Sequence, residues 1–479
     1  MMSGRSGTFF LLRLPPELVD SVLQLLGPTQ LARVGQTCRA LHRLATSDVL
    51  WQRLVQANVP DVVVDSPYPF DNFRDLYVCH EPYWFLTRYK IWFCDHNLMG
   101  KMVVVRYDQR RGCIEGYLLL SNKKNKGFHS WPADPQVIIH AFEPRVKLHL
   151  DKPVLQLNPT TTNNETAMGS KPFQPELAMC LDEILHCNLM LARPLESLPG
   201  RYGRGVSYGV WPPPAVPASH RVGNSAPYGF ADPEINTLPE SRAEASDRVF
   251  RLRQWIEHLA PPRPSMINGR PLNPVIGTNP YPNIGLFGPA MAPAVVGRRS
   301  SVSEEVITYA TLDPYLYTPT TDKPWRGIWV GDYCGHGCEF LLVHQPDDEE
   351  PPEPRRESES DEAYRNRRKF HGRLEAIKLT GDPNVPRGEY TFIADDLGDA
   401  GFVDYSNEPP FMGCRIVKSL GHIAGTGFQN DEYIMSQLVL INNNRLAQFW
   451  VGFGHISFFE RVKIEDFLDP KTTAPGTRA

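Results

Sequence analysis

Apolar positions follow two different periods along this chain, and the change of period divides it into a helical and a strand-rich part. Between residues 14 and 54, apolar side chains recur every three or four residues, as at Leu18, Val22 and Leu25. This is the spacing of amphipathic helices, and Gly27-Pro28 marks a stop between two of them. The pattern predicts three short helices, which are too small to bury all their apolar surface against one another.

From about residue 82 onwards, the pattern changes to short runs typical of strands. The runs "KMVVVRYD" and "CIEGYLLL" flank "QRRG", which predicts a hairpin. Between residues 414 and 464, three apolar runs follow one another, with Asn443-Asn444 as a tight turn between two of them. Many short strands joined by turns favour a mostly antiparallel, barrel-like domain, because closure removes exposed strand edges.

Two segments interrupt the strands. Residues 158–302 are rich in Pro and Gly, and we expect a long, partly disordered insertion with two helices, at 175–191 and 242–259. Residues 346–370 carry a dense charged run and are predicted to be disordered. The expected class is α+β, with the following organisation: helical domain 11–56, connecting segment 57–82, β domain in three parts (83–157, 303–345 and 371–468), and the two inserts 158–302 and 346–370.

Composition narrows the classes of protein that this chain can represent. The net charge is −4, which offers no basic field for nucleic acid. We find no run of about 18 apolar residues and therefore expect no membrane span. The nine cysteines are odd in number and include no C-x-x-C pair, so we expect reduced thiols in a cytoplasmic and/or nuclear protein.

The sequence "CGHGC" raises the question of a metal or catalytic site. Cys334, His336 and Cys338 supply at most three ligands, whereas structural zinc needs four, and three ligands at this spacing would crowd one ion. A Cys–His nucleophilic pair lacks a third group marked by the sequence. We therefore expect no metal, no cofactor and no catalytic residue, so that the protein is not an enzyme.

Residues 14–54, "LPPELVDSVLQLLGPTQLARVGQTCRALHRLATSDVLWQRL", resemble an F-box. Leu41 and His42 replace the aromatic residue that usually follows the Cys-Arg pair. The resemblance implies that this domain binds the Skp-type adaptor of an SCF ubiquitin ligase. An ordinary helical subdomain packed on its own barrel is the alternative. The residues implied in adaptor binding are Leu14, Pro15, Glu17, Leu18, Val22, Leu23, Leu26, Pro28, Leu31, Val34, Cys38, Arg39, Leu50 and Trp51.

The C-terminal half resembles the F-box only protein 31 family. Four blocks carry the resemblance in the same order: "GIWVGDYCGHGCEFLLV", "IKLTGDPNVPRGEYTF", "SLGHIAGTGF" and "RLAQFWVGFGHISFFERV". Members of this family are SCF substrate receptors, and the resemblance implies that the barrel binds a peptide degron, in particular a protein C-terminal tail. The implied substrate-binding residues are Tyr333, His336, Asp382, Asn384, Gly425, Phe428 and Trp450.

Plainer structural roles remain open for several of these residues. "TGDPNVP" is also a favourable turn, because Asp and Asn bond local backbone groups and Pro presets φ. Phe428 and Trp450 suit a core as well as a pocket. The expected function is a non-catalytic substrate-recognition subunit whose partners are a Skp-type adaptor, a cullin-RING core and a protein degron. The alternative is an F-box protein bound to the adaptor outside a cullin complex.

Overall fold

The structure is a computed structural model. It describes residues 13–94, 99–123, 127–158, 173–181, 186–194, 238–259, 266–267, 270–271, 300–347 and 354–470. Among these residues, none of the helices has the length and apolar character needed to cross a membrane.

Four helices, one more than predicted, form the N-terminal domain. Two further short helices follow, one in the connecting segment and one at the start of the part predicted as β domain. The first of them is capped by Asn72, whose side chain accepts from the Asp75 backbone N–H. Pro28 begins the second helix, where a missing N–H costs no hydrogen bond. The helices are α1 (Pro16–Gln24), α2 (Pro28–Gly35), α3 (Arg39–Ala45), α4 (Asp48–Asn58), α5 (Phe73–His80) and α6 (Phe85–Tyr89).

The remainder of the described chain is dominated by strands. They are β1 (Ile91–Cys94), β2 (Lys101–Asp108), β3 (Cys113–Lys123), β4 (Phe128–Trp131), β5 (Asp134–His140), β6 (Pro144–Leu157), β7 (Glu176–Cys180), β8 (His186–Leu191), β9 (Val249–Leu259), β10 (Met266–Ile267), β11 (Arg270–Pro271), β12 (Ser300–Ala310), β13 (Gly327–Asp332), β14 (Cys338–His344), β15 (Leu374–Lys378), β16 (Tyr390–Ala394), β17 (Phe402–Tyr405), β18 (Arg415–Gly425), β19 (Gln429–Asn442), β20 (Arg445–Trp450) and β21 (His455–Arg461). The predicted hairpins β2–β3 and β19–β20 are confirmed.

An eight-stranded sheet packs next to the helices, in the order β6-β3-β2-β1-β12-β9-β8-β7. The two helices predicted at 175–191 and 242–259 are wrong, because the described parts of these segments form β7, β8 and β9. Consecutive residues of β9, such as Phe250, Arg251 and Leu252, are all buried. A strand buried on both faces shows no alternation, so its apolar positions can coincide with a helical spacing. Residues 195–237 and 272–299 of the predicted insertion lie outside the described residues.

The second sheet closes into a barrel, which confirms the predicted α+β class. Eight strands, β13 to β16 and β18 to β21, pair antiparallel in sequence order, and β21 pairs back onto β13. Strand β17 lies beside β18, and the β4–β5 hairpin joins the barrel through a parallel pairing of β5 with β21. The barrel interior is filled at one end by large apolar residues such as Trp329 and Phe392.

Two further apolar cores join the barrel to the rest of the molecule. The outer face of the barrel, including Ile328 and Leu342, packs against one face of the first sheet. The opposite face of that sheet packs against the helices, so that α1 and β12 belong to a single buried cluster. The helical domain is therefore joined to the β domain by continuous packing.

Part of the charged segment is helical rather than disordered as predicted. Helix α7 (Asp361–Lys369) begins at Ser360, whose hydroxyl accepts from the Ala363 backbone N–H at 3.2 Å. Acidic residues occupy its first turn and basic residues its last turn, which favours the helix dipole. Lys369 also lies over the Trp325 ring at 5.1 Å. These caps and contacts stabilise a segment whose composition alone suggested disorder, while residues 348–353 lie outside the described residues.

Replacing Trp329 by Ala tests how far the fold depends on the barrel interior. Trp329 is fully buried, and removing such a side chain leaves a cavity, so we expect a loss of about 3–5 kcal/mol in the free energy of unfolding. The free energy of unfolding is measured by urea denaturation, with circular dichroism as the signal. Met435→Ala is the control, because Met435 is 66% exposed and its loss should cost less than about 0.5 kcal/mol. Equal effects of the two changes would contradict the assignment of the core.

Candidate functional site

Helix α1 has one buried and one exposed apolar face. Val19 and Leu23 are buried against the other helices, whereas Leu18, Val22 and Leu25 are 52%, 40% and 85% exposed. The exposed residues stand at positions i, i+4 and i+7, so they form one stripe along the helix. We call these three residues the α1 stripe. Contiguous exposed apolar surface of this kind is typical of a protein-binding surface.

The remaining predicted adaptor-binding residues divide by burial. Trp51 is buried, and its indole N–H donates to the Ala45 carbonyl at 2.8 Å, so it holds α3 against α4. The predicted adaptor-binding set did not include Leu25, which is the most exposed apolar residue of the domain. The buried residues of the predicted set are Leu23, Leu31, Leu50 and Trp51; those of intermediate exposure are Leu14, Leu26, Pro28, Val34 and Cys38; the exposed ones are Pro15, Glu17, Leu18, Val22 and Arg39.

The predicted substrate-binding residues all lie at one end of the barrel, which we call the barrel mouth. Because neighbouring strands are antiparallel, the ends of β13, β15, β18 and β20 meet the starts of β14, β16, β19 and β21 there. The loops that connect these strands carry Tyr333 and His336, Asp382 and Asn384, and Gly425 and Phe428; Trp450 ends β20. The four sequence blocks that resemble the F-box only protein 31 family therefore lie next to one another at the barrel mouth.

Two of the loops at the barrel mouth are bonded to each other. The Gly427 backbone N–H donates to the Pro383 carbonyl at 2.8 Å, and the Thr426 hydroxyl donates to the Asn384 amide oxygen at 3.3 Å. Phe428 adopts a left-handed conformation with a φ of 58°, and its ring packs on His422. Such backbone conformations cost free energy in a bulky residue, so packing must hold this turn in place.

A buried charged group lies beneath the loops, where Lys378 stands between two carboxylates. Its ammonium lies 2.7 Å from Glu339 and 2.5 Å from Asp382, and it lies over the Tyr333 ring at 4.3 Å from the ring centroid. The Tyr333 hydroxyl donates to Thr391 at 2.6 Å. The strand register places these partners on adjacent strands, which the sequence alone does not show.

The two carboxyl groups share one cation, and their pKa values move in opposite directions. Burial raises the pKa of Glu339 to about 8, and the neighbouring Asp382 adds to this effect against the attraction of Lys378. Burial also opposes ionisation of Asp382, yet the Lys378 ammonium and local hydrogen bonds hold its pKa below the usual value. These shifts favour the protonated form of Glu339 and the ionised form of Asp382, which pairs with Lys378.

Asp382 also organises its own loop. Its Oδ1 accepts from the backbone N–H groups of Asn384 at 2.6 Å and Val385 at 2.7 Å, while its Oδ2 bonds to Lys378. Both carboxylate oxygens of Asp382 therefore accept hydrogen bonds within the protein. This agrees with the alternative in which "TGDPNVP" is a structural turn. Asn384 is half-buried and His336 is exposed, so these two side chains are more accessible from solvent than Asp382.

A second polar layer crosses the barrel interior below the mouth. The Gln448 amide N–H donates to the Ser436 hydroxyl at 3.2 Å, and Ser436 lies 2.7 Å from the Ser419 hydroxyl. Gln448 is fully buried, and within the part of the chain that the structure describes its amide oxygen has no hydrogen-bond partner. The Trp450 indole N–H donates to Ser457. Unlike the apolar end, the mouth end of the barrel therefore contains hydrogen-bonding groups.

Most of "CGHGC" lies in the short loop between β13 and β14, and Cys338 begins β14. The Tyr333 backbone N–H donates to the Gly337 carbonyl at 2.9 Å, and Gly337 has a φ of 97°, which favours glycine. The Cys334 side chain lies outside the described residues. Burial raises the pKa of the Cys338 thiol, which disfavours a reactive thiolate. Within the described ranges, no group of three or more His, Cys, Asp and Glu side chains is placed to hold a metal ion.

Replacing Glu339 by Gln tests the charge assignment through the pH dependence of stability. The pKa of Glu339 is higher in the folded protein than in the unfolded chain, so its contribution is full below the unfolded pKa and is lost as pH rises towards 8. We expect the variant to be more stable than the original protein by on the order of 2 kcal/mol at pH 8.5, with a smaller difference at pH 5. Urea denaturation at both pH values measures this.

Glu357→Gln is the matched control, because Glu357 is exposed and the change should leave the pH profile as it is. A Glu339→Gln variant that loses stability on raising the pH as steeply as the original protein would show that Glu339 is already ionised at neutral pH.

Comparison with known proteins identifies two regions of the chain. Residues 11–57 match the family model described as F-box-like, and residues 309–466 match the model described as cyclin D1 binding domain. The second region begins in β12 and includes the whole closed barrel. The β4–β5 hairpin lies before it in the sequence.

Curated relatives match a smaller part of the chain. Protein EXECUTER 2, chloroplastic, of Arabidopsis thaliana is 25% identical over 139 residues, which is 29% of this chain and 20% of that protein. The protein of the same name from Oryza sativa subsp. japonica is 26% identical over 147 residues, 30% of this chain and 21% of that protein. The chain thus spans about a fifth of the length of these relatives. Residues 11–57 thus form an F-box-like domain, and the first helix of that domain carries an exposed apolar stripe.

Proposed function

We propose that this protein is the substrate-recognition subunit of an SCF-type ubiquitin ligase. The α1 stripe carries the proposal: three exposed apolar side chains in a domain that matches an F-box-like model, on a helix whose other face is buried. An apolar helix surface of this kind suits packing against helices of a Skp-type adaptor. The buried face of α1 is held to the β domain by the shared core, whereas the stripe on its other face is exposed and available for a partner.

The barrel mouth is the proposed site for the substrate. The matching model described as cyclin D1 binding domain covers the barrel, which makes cyclin D1 the first protein substrate to test. We propose that a peptide degron enters the mouth, and the resemblance to the F-box only protein 31 family favours a C-terminal tail. His336 and Asn384 supply accessible polar groups at the rim, while Gly425 allows close approach of a bound backbone.

Phe428 and Trp450 shape the mouth from beneath in this proposal, since both are buried. Tyr333 and Asp382 also shape the mouth from beneath, because both contact the buried Lys378 ammonium. The protein would carry out no covalent step itself. It would raise the effective concentration of a substrate lysine near the ubiquitin-loaded enzyme held by the cullin-RING core.

The adaptor interface can be tested by changing the α1 stripe. Leu18 and Leu25 are exposed, so replacing both by Ser should leave the fold intact while it removes apolar contact area. We expect the double variant to recover at least tenfold less Skp-type adaptor on co-purification from cells, because buried apolar residues dominate such interfaces. The melting temperature of the purified protein is measured in parallel.

A variant with Asp20 and Gln24 both replaced by Ala is the matched control, since these exposed residues are polar and belong to the same helix. Equal adaptor recovery with all three proteins would contradict the proposed interface. Recovery of adaptor without cullin from the original protein would instead favour the binding module that acts outside a cullin complex.

The substrate site can be tested by changing the rim of the mouth. Replacing His336 and Asn384 together by Ala removes two accessible polar side chains and preserves the buried group around Lys378. We expect binding of purified cyclin D1 to the complex of this protein with its adaptor to weaken about tenfold, in line with the loss of one or two hydrogen bonds. Isothermal titration calorimetry gives the dissociation constants.

The control for the rim variant is Met435→Ala, on the outer face of β19. Unchanged affinity of the rim variant, with cyclin D1 still bound, would place the substrate site elsewhere. Absence of cyclin D1 binding by the original protein would remove cyclin D1 as the substrate.

A further inference from the structure

The wall of the barrel mouth includes strands that come from a distant part of the sequence. Strand β21 pairs with β13 near its C-terminal end, through residues such as Phe459 and Arg461. At its N-terminal end, next to the mouth, it pairs instead with β5, where His455 lies opposite Ile138. The β4–β5 hairpin therefore continues the barrel wall where β13 leaves it. This hairpin precedes the matched barrel region by about 170 residues of chain.

The register shows which side chains of the hairpin face the same way as the barrel interior. His455 lies on the inward face of β21, together with Ser457, because their partners on β20 are Trp450 and the buried Gln448. Its partner Ile138 on β5 shares that face, as do His140 and, across the β4–β5 pairing, Phe128. We call Phe128, Ser130, Ile138 and His140 the lip. The neighbouring positions Val137 and Ile139 point the other way, into the core between the sheets.

The lip is held firmly against the barrel. The Ile138 backbone N–H donates to the Gly454 carbonyl at 2.8 Å. The His140 ring stacks on the His455 ring with a centroid distance of 5.3 Å and an angle of 13°. His140 also lies 3.2 Å from the Asp332 carboxylate at the end of β13. The Trp131 indole N–H donates to the Pro409 carbonyl. The hairpin is therefore fixed in position before any partner binds.

The lip also exposes apolar surface on its inward face. Phe128 is 71% exposed and Ile138 is 37% exposed, and Phe453, which stacks on His455 beside the mouth, is 56% exposed. The side chains between them on this face, Ser130 and Gln136, are uncharged. A rigid surface with exposed aromatic and aliphatic side chains suits an apolar residue of a partner. The charged groups beside it, Lys123 and Asp332, form an ion pair with each other and are largely buried.

We propose that the lip is a second subsite of the barrel mouth, which takes an apolar side chain of the same extended peptide segment. This inference rests on the proposed function. The lip and the mouth share strand β21 and its inward face. A peptide segment bound in the mouth would therefore also reach the lip. Strand β4 offers about 13 Å of surface, since four residues rise about 3.3 Å each, so that about four residues of an extended segment would lie along it. Phe128 and Ile138 are then specificity-determining residues.

A displayed library of random peptides tests the proposal on the full chain in complex with its adaptor. Selection is run in parallel on the original protein, on the rim variant with His336 and Asn384 replaced by Ala, and on a lip variant with Phe128 and Ile138 replaced by Ser. His129→Ala is the matched control, because His129 is exposed on the opposite face of β4. Circular dichroism and light scattering confirm that each variant is folded and report its oligomeric state.

We expect peptides enriched on the original protein to share an apolar residue at a fixed distance from the part that requires the rim. The lip variant should lose this preference and bind such peptides about tenfold more weakly. The His129→Ala control should keep both the preference for an apolar residue and the original affinity. Peptides that require the rim but bind the lip variant unchanged would overturn the lip and leave the proposed function standing.

Peptides that require the lip but not the rim would support the lip subsite and contradict the proposed position of the degron. Failure to enrich any peptide on the original protein would overturn both. A change in oligomeric state of the lip variant, without a change in the selected peptides, would show that the lip contacts a second copy of the chain and would also overturn the proposal.

Discussion

A row of buried aromatic rings connects the helical domain to the β domain, and the relative placement of the two proposed binding surfaces depends on it. The Trp51 ring packs edge-on against Tyr77, Tyr77 stacks on Trp84, and Trp84 packs against Tyr107 of β2, with centroid distances of 5.5, 6.1 and 5.7 Å. The Trp84 indole N–H also donates to the Tyr77 carbonyl. Aromatic contacts of this kind combine large buried area with a defined geometry.

Polar contacts at the same junction further restrict movement of the helical domain relative to the β domain. The Arg88 guanidinium donates twice to the Asn58 side chain at the end of α4, and the Thr87 hydroxyl donates to the Asn58 carbonyl. His80 bonds to the Gly112 carbonyl in the β2–β3 turn. A helix end, a connecting helix and a sheet turn are thus bonded in series. The α1 stripe and the barrel mouth are carried by one packed unit rather than by two domains on a flexible linker.

The helical spacing of Leu18, Val22 and Leu25 predicted a helix at the position of α1. The spacing could not show that these three residues form the exposed rather than the buried face of α1, since Val19 and Leu23 supply the buried face. It failed for β9, which is buried on both sides. Helix α7 was missed because Lys369 and Arg368 contact Trp325 and Asp322, which lie about 45 residues earlier in the chain.

The candidate site was predicted in part, because its loops carry recognisable blocks of sequence. The pairing of Lys378 with Glu339 depends on the register between β14 and β15, and the contribution of His140 depends on a parallel pairing across the chain. Neither has a local pattern. Tertiary geometry also separated residues that the sequence grouped together: Asp382 is engaged within its own loop, whereas His336 is exposed.

The antiparallel pairing of β8 with β9 places Leu191 directly opposite Phe250. The polypeptide therefore leaves the first sheet and re-enters it at adjacent positions, with 58 intervening residues by sequence number. Doubling the length of a connection between two such neighbouring points costs only about 0.6 kcal/mol in chain entropy. This junction can thus accept large changes in length and composition during evolution, or a fused reporter domain, without disturbing the pairing on either side.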